Sequence, residues 1–167
     1  MRGVDTRWMD IDNQWAGRAD QHGLRPDNSG RLAAMRRWIM SEAIESRGGK
    51  PVTVDLYALG VDPVATHLRT RTYAAKMGWR DGVTFDDPYA TSDPMQRPGW
   101  SKLCQRLSGG YAHGVVVVGQ SDITTDIDEY EMTLHWMQHH CVFVDFVLPH
   151  RPAASYAQST RRKARGE

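Results

Sequence analysis

A run of four valines places the strongest constraint on how this chain can fold. Val115–Val118 is flanked by Gly114 and Gly119, so the apolar segment is too short for an ordinary helix. Successive side chains of a strand point to opposite faces, and a strand that is apolar on both faces must be covered on both. Such strands are typical of the interior of a parallel sheet. The sequence therefore predicts an α/β protein.

Strand and helix patterns alternate around this run. Apolar alternation and β-branched residues identify the strands, while apolar residues three and four positions apart identify the helices. The predicted strands are 51–59, 82–85, 115–118 and 142–147, and the predicted helices are 63–77, 98–107 and 127–141. This order predicts a three-layer domain with a mainly parallel sheet of four to five strands.

Apolar spacing also predicts which helix faces point inward. In the helix that begins at Pro63, the inward stripe is predicted to be Val64, Leu68, Thr72 and Ala75. The same spacing places Cys141 on the inward stripe of the last helix.

That last helix carries a second signal at its start. Thr125 and Asp128 resemble a capping box, in which two side chains bond the free backbone amides of the first turn. We therefore expect Thr125 to precede the first helical residue.

Three regions are expected along the chain. Residues 1–50 form a polar extension with one helix over about 31–46, residues 51–149 form the α/β domain, and residues 150–167 form a basic polar tail. The helix is interpreted as an accessory helix docked on the core, with a partner-binding arm as the alternative. Arg36 is assigned to its polar face.

Charge and composition exclude several classes of protein. The formal net charge is +1, so no overall field draws the chain to nucleic acid or membrane. No apolar run reaches the ~20 residues that span a bilayer. Cys104 and Cys141 lack the spacing of a zinc site, which favours reduced thiols in a cytoplasm. No cofactor is expected.

Four blocks of sequence carry a resemblance to a known family. They are Leu56–Val61, Leu68–Trp79, Phe85–Trp100 with Arg97-Pro98-Gly99, and Val115–Asp126. In this order they resemble the catalytic domain of the serine recombinases, the resolvase and invertase family. The resemblance implies the resolvase-like α/β fold.

The resemblance also identifies positions where catalytic residues are expected. Family members attack DNA with a serine hydroxyl, and several arginines neutralise the charge that develops on the phosphate. The positions that depart from the family are Leu59, Val61, Ile123 and Asp126, and the retained ones are Arg97 and Asp122. The expected domain is therefore a catalytically inactive regulatory or protein-interaction module, with a protein partner or self-association.

Two alternatives remain open at this point. The first is a DNA-associated accessory factor of a recombination system, with weak phosphate binding by Arg69, Arg71 and Arg97 and non-specific DNA binding by the basic tail. The second is a metal-dependent phosphodiester enzyme that uses Asp86 and Asp122 together with Arg97.

Two groups of residues are of the types that bind metals. Asp86, Asp87 and Asp122 offer oxygen ligands suited to Mg²⁺, although consecutive aspartates before a proline are also common in turns. His135, His139, His140 and Cys141 form the second group. Histidines near a helix C-terminus are favoured by the helix dipole, and Trp136 stands where a zinc hydrolase motif requires glutamate. No metal site is predicted.

Overall fold

The computed structural model describes residues 28–90 and 93–148. The strands are β1 (Thr53–Leu59), β2 (Arg80–Asp87), β3 (Gly114–Val117) and β4 (Phe143–Phe146). The helices are α1 (Asn28–Glu45), α2 (Pro63–Lys76), α3 (Pro98–Ser108) and α4 (Ile127–His139), with short 3₁₀ turns at Pro94–Gln96 and Gln120–Asp122. The predicted alternation of strands and helices is confirmed.

The four described strands form one parallel sheet in the order β2-β1-β3-β4. The prediction of an α/β fold built on a parallel sheet is therefore confirmed. In β3, Val115, Val116 and Val117 are completely buried, as expected for a strand covered on both faces.

One irregularity interrupts the pairing of β1 with β2. The register shifts between Val54 and Leu56, where Asp55 is fully buried. Its Oδ1 accepts a hydrogen bond from the Val83 amide at 2.8 Å, and Arg106 Nε donates to Oδ2 at 2.9 Å. Because a buried carboxylate requires such partners, Asp55 stabilises the bulged edge strand.

Helices cover both faces of the sheet. Tyr57 of β1 packs edge-on against Trp100 of α3, with ring centroids 5.0 Å apart. On the opposite face, the Tyr73 hydroxyl of α2 donates to Asp145 Oδ2 of β4 at 2.6 Å. The result is the three-layer arrangement predicted from the sequence.

Helix α1 packs on the same core as the α/β domain. It starts three residues before the predicted boundary, and it buries Leu32, Ile39 and Ala43. Its contacts are mainly with β4 and α4, so it lies beside the edge strand of the sheet. The assignment of Arg36 to a polar face was wrong, because this side chain is buried and pairs with Asp145.

The inward stripe predicted for α2 was wrong. Val64 and Leu68 are 79% and 64% exposed, and the completely buried residues are Thr70 and Ala74. Thr70 can be buried because its hydroxyl donates to carbonyl oxygens of its own helix, 3.1–3.2 Å away. Small side chains on this face let α2 approach the sheet closely, and the larger apolar residues are left on the outer face.

Several sequence predictions lie outside the described residues. The polar segment before Asn28, with Trp8 and Trp15, and the basic tail at 150–167 are among them. Within the part that is described, no helix has both the length and the apolar character needed to cross a membrane.

Candidate functional site at the carboxyl edge of the sheet

The carboxyl ends of the strands bring together most of the residues singled out in the sequence. Parallel strands end at one edge of a sheet, and ligands of α/β proteins collect there. Leu59 ends β1 and Val61 follows it, Asp86 and Asp87 end β2, and Asp122 follows β3. This edge is the candidate site.

The chain turns sharply after the end of β1. Gly60 has a φ of 125°, a conformation that favours glycine, and its amide donates to the Asp87 carbonyl at 3.0 Å. The chain then turns outward, and Val61 is 93% exposed. Val61, which the sequence resemblance leads us to expect at the position of the family's serine, is therefore accessible, and its side chain consists only of hydrocarbon.

The carboxylate of Asp87 is occupied by hydrogen bonds that begin α3. It is buried, and its oxygens accept from the Gly99 amide at 2.9 Å and the Trp100 amide at 3.0 Å. The Tyr57 hydroxyl donates to the same carboxylate at 2.9 Å, and burial raises the pKa of this tyrosine. Asp87 therefore stabilises the N-terminus of α3, as a capping side chain does.

The retained Arg97 is bound to main-chain oxygens. It is only 2% exposed, and its Nη1 donates to the Asp122 carbonyl at 2.7 Å while Nη2 donates to the Ile123 carbonyl at 2.6 Å. Its Nη1 also lies 3.4 Å from the Tyr57 hydroxyl. The guanidinium thus fastens the loop after β3 to the start of α3, in the geometry of a structural arginine.

Asp122 lies half-buried in the 3₁₀ turn after β3. Burial raises the pKa of its carboxyl group, and backbone hydrogen bonds at Val118 and Gly119 together with the guanidinium charges of Arg97 and Arg69 oppose that rise. Arg69 is exposed on α2. The pKa of Asp122 is raised overall, with burial as the dominant cause.

Arg71, by contrast, pairs with a carboxylate away from this edge. Its Nε lies 3.0 Å from Asp81 Oδ2, and both side chains are about half exposed. Of the three arginines predicted to bind phosphate, Arg97 is buried, Arg71 is paired with Asp81 and Arg69 is exposed on α2.

The two remaining family positions support the fold locally. Ile123 is completely buried and belongs to the hydrophobic core. Asp126 is the N-cap of α4, where its Oδ1 accepts from the amides of Asp128 and Glu129 at 2.9 and 3.0 Å. The predicted capping pair of Thr125 and Asp128 was therefore wrong, and Asp126 performs that role.

A histidine near this edge was not singled out in the sequence. His67 of α2 has a side chain only 13% exposed, and its Nε2 lies 3.9 Å from Asp86 Oδ2. Burial lowers its pKa, and Asp86 opposes that effect. His67 could not be singled out from the sequence, because it belongs to no motif and Asp86 lies nineteen positions away.

The second group of candidate metal ligands, at residues 135–141, does not converge on one point. His140 Nδ1 lies 2.9 Å from the Trp136 carbonyl, and His135 Nε2 lies 3.8 Å from Glu131 Oε1. Cys141 is exposed with a φ of 55°, so its predicted inward position was wrong, and Val142 is buried instead. Within residues 28–90 and 93–148, no three His, Cys, Asp or Glu side chains are placed to hold a metal ion.

Comparison with known proteins identifies the fold. No protein-family model matches the sequence, and no curated protein is similar to it. The fold is similar to the C-terminal catalytic domain of ISC1926 TnpA, an IS607-like serine recombinase, with a TM-score of 0.51 and 18% identity over 67% of this chain and 78% of that one. It is also similar to the N-terminal catalytic domain of TP901-1 integrase, with a TM-score of 0.51 and 14% identity over 68% of this chain and 99% of that one. The chain therefore has the fold of the catalytic domains of serine recombinases.

Proposed function

We propose that this chain is a catalytically inactive domain with the serine recombinase fold, and that it acts as a regulatory or protein-interaction module. The observation that carries the proposal is the binding of Arg97 to two main-chain carbonyls. A guanidinium that neutralises a phosphate must present its N–H groups to that phosphate. Here both Nη atoms are directed into the protein.

The neighbouring positions support the same conclusion. Phosphoryl transfer to a side chain needs a nucleophile and cations that stabilise the developing charge. Val61 offers no hydroxyl, Ile123 is in the core, and Asp126 brings a negative charge. Loss of one stabilising donor typically costs about 100-fold or more in rate, and several are replaced here.

The proposal is tested by incubating the full chain with supercoiled plasmid and with short duplex DNA, followed by denaturing electrophoresis. We expect neither nicked DNA nor a covalent protein–DNA adduct. The variant Val61→Ser, which restores only the hydroxyl, is expected to be equally inactive because the cations are still missing. A covalent adduct formed by the native chain would overturn the proposal.

One observation favours a second candidate, a DNA-associated accessory factor. Arg69 is an exposed cation on α2, the helix that begins at the carboxyl edge of the sheet after β1. Fluorescence anisotropy with a labelled duplex at low and moderate salt tests it. Binding that weakens steeply with salt, and weakens further in Arg69→Ala than in Arg37→Ala, would support this candidate.

A further inference from the structure

A histidine side chain joins the amino ends of β1 and β3. The ladder between these strands begins at the pair Val54 and Gly114. One residue earlier, the His113 amide donates to the Thr53 carbonyl at 2.8 Å, and the Thr53 amide donates to His113 Nδ1 at 2.9 Å. The imidazole therefore supplies the acceptor that a main-chain carbonyl supplies in the rest of a sheet.

The same residue reaches the strand on the other side of β3. Its carbonyl accepts a hydrogen bond from the Phe143 amide of β4 at 3.2 Å. In the strand order β2-β1-β3-β4, His113 thus contacts both neighbours of β3. A change of charge at this residue acts on the amino ends of three strands.

The hydrogen bond from Thr53 fixes the position of the proton on the ring. Only an unprotonated nitrogen can accept a hydrogen bond, and a neutral imidazole has one such nitrogen. Because Nδ1 accepts from Thr53, the hydrogen of the neutral ring is on Nε2. A protonated imidazole carries hydrogen on both nitrogens, so its Nδ1–H would face the Thr53 N–H and the bond would be lost.

We propose that His113 is an acid-sensitive switch: its neutral ring holds the amino ends of β1 and β3 together, and its protonation opens this first pair of the sheet. The pairs that follow, from Val54 and Gly114 onward, are made by main-chain groups, which do not titrate. The opening is therefore local. The Thr53 amide then takes water as its acceptor, and the two strand ends separate to admit it.

Burial and one neighbouring cation favour the neutral ring. Burial lowers the pKa of His113, the positive charge of Arg47 lowers it further, and a main-chain hydrogen bond at Thr53 opposes them. Arg47 lies in the linker between α1 and β1, where its Nη2 donates to the Pro51 carbonyl at 3.0 Å. Protonation of His113 therefore adds a second positive charge near that of Arg47, and the two repel each other.

The charged groups of β1 and β2 do not offset this repulsion. Asp55 of β1 is buried and lies 2.9 Å from Arg106 Nε, and Asp81 of β2 lies 3.0 Å from Arg71 Nε. Arg80, the first residue of β2, brings another positive charge to this edge of the sheet. At the amino ends of β1 and β2, both carboxylates are thus already paired with arginines.

The switch operates in mild acid. An exposed imidazole has a pKa of about 6.5, and the folded-state pKa of His113 lies lower. Above 6.5 the ring is neutral in both the closed and the open form, and the pair keeps its full stability. As the pH falls through 6.5 toward the lower folded-state pKa, the open form binds the proton more readily, so the closed form loses stability. This property belongs to the sheet itself and does not depend on the role proposed for the module.

NMR of the full native chain tests the geometry without any substitution. Long-range proton–nitrogen correlation spectra identify which ring nitrogen carries the hydrogen. At pH 8 we expect the hydrogen of His113 on Nε2, and we expect the ring to titrate below about 6.5. A hydrogen on Nδ1 at pH 8, or a ring that titrates at or above that value, overturns the proposal.

Hydrogen exchange tests the local opening. We expect the protection factor of the Thr53 amide to fall about tenfold between pH 8 and pH 5, and to lie well below that of Val116, at the centre of the sheet, at pH 5. A Thr53 protection factor that does not fall overturns the proposal. Equal protection of Thr53 and Val116 at pH 5 also overturns it, because the strand ends would then open only with the whole domain.

Two substitutions separate the acceptor from the charge. His113→Asn keeps an acceptor on Cγ, where Nδ1 is attached, but does not titrate, so the Thr53 amide should be equally protected at pH 5 and pH 8. His113→Leu removes the acceptor and should lower the protection of Thr53 about tenfold at both pH values. His139→Asn, at an exposed position near the end of α4, is the control and should keep the native behaviour. Circular dichroism verifies folding of the variants. If His113→Asn loses as much protection in acid as the native chain, the proposal is overturned.

Discussion

Arg36 Nη1 of α1 lies 2.6 Å from Asp145 Oδ1 of β4, and both side chains are about nine-tenths buried. The second oxygen of Asp145 accepts from the Tyr73 hydroxyl at 2.6 Å, and the Arg36 guanidinium lies 4.7 Å from the centre of the Phe146 ring. One carboxylate thus joins α1, α2 and the edge strand. Helix α1 is integral to the domain, although it precedes the region that resembles the recombinases.

Removing one member of this pair should destabilise the whole domain. Arg36→Ala leaves Asp145 buried with only its tyrosine partner, and the loss of one partner of a buried pair typically costs about 3–5 kcal/mol. Chemical denaturation measures the free energy of unfolding. The neighbouring Arg37→Ala is the control, because Arg37 is exposed and should change stability by less than about 0.5 kcal/mol. Equal effects of the two substitutions would contradict the structural role of the pair.

Arg97 is expected to contribute to stability. Arg97→Ala removes two hydrogen bonds from a charged donor to the Asp122 and Ile123 carbonyls and leaves a cavity beside Tyr57. We expect a loss of about 2–3 kcal/mol, measured as a lower melting temperature. Arg69→Ala, at an exposed cation on α2, should leave the melting temperature nearly unchanged. An unaltered melting temperature in Arg97→Ala would show that its hydrogen bonds do not support the fold.

Two adjacent aspartates at the end of β2 should behave differently. Asp87→Ala removes the side chain that accepts from the first amides of α3, and loss of such a cap costs about 1–2 kcal/mol. Asp86→Ala changes a mostly exposed carboxylate and should cost less than half as much. Thermal unfolding followed by circular dichroism measures both. The interpretation fails if Asp86→Ala is the more damaging change.

The parallel sheet and the alternation of strands and helices could be predicted because they depend on local patterns. Val115–Val117 had to be covered on both faces, and alternating strands and helices then permit few arrangements. Helix positions were correct to within a few residues for the same reason. These signals lie within short stretches of sequence.

Two of the errors concern residues whose surroundings lie far away in the sequence. Arg36 has a partner 109 positions away, so its burial left no local sign. For α2, the periodic apolar residues identified a helix face but not the direction in which it points. Thr70 is buried there because it satisfies its hydroxyl within the helix, and Leu68 faces outward. Apolar periodicity therefore identified the helix but not the face that packs on the sheet.

The partly buried His67 should make the domain less stable in mild acid. Its folded-state pKa is lowered by burial, with Arg71 adding to the effect and Asp86 opposing it. An exposed imidazole in the unfolded chain has a pKa of about 6.5. Above that value the ring is neutral in both states and folding carries no protonation cost. As the pH falls through 6.5 toward the lower folded-state pKa, the unfolded chain binds the proton more readily, so the free energy of unfolding decreases.

The measurement is urea denaturation of the native chain and of His67→Gln between pH 8 and pH 5. We expect the variant to lose less stability over this range than the native chain does, because glutamine does not titrate. His139→Gln, at an exposed position near the end of α4, is the control for replacing a surface histidine. NMR titration of the His67 ring provides the direct test, and Asp86→Asn should lower its pKa further because the opposing carboxylate is gone. A ring that titrates at or above 6.5 would contradict the burial of His67 as the dominant effect.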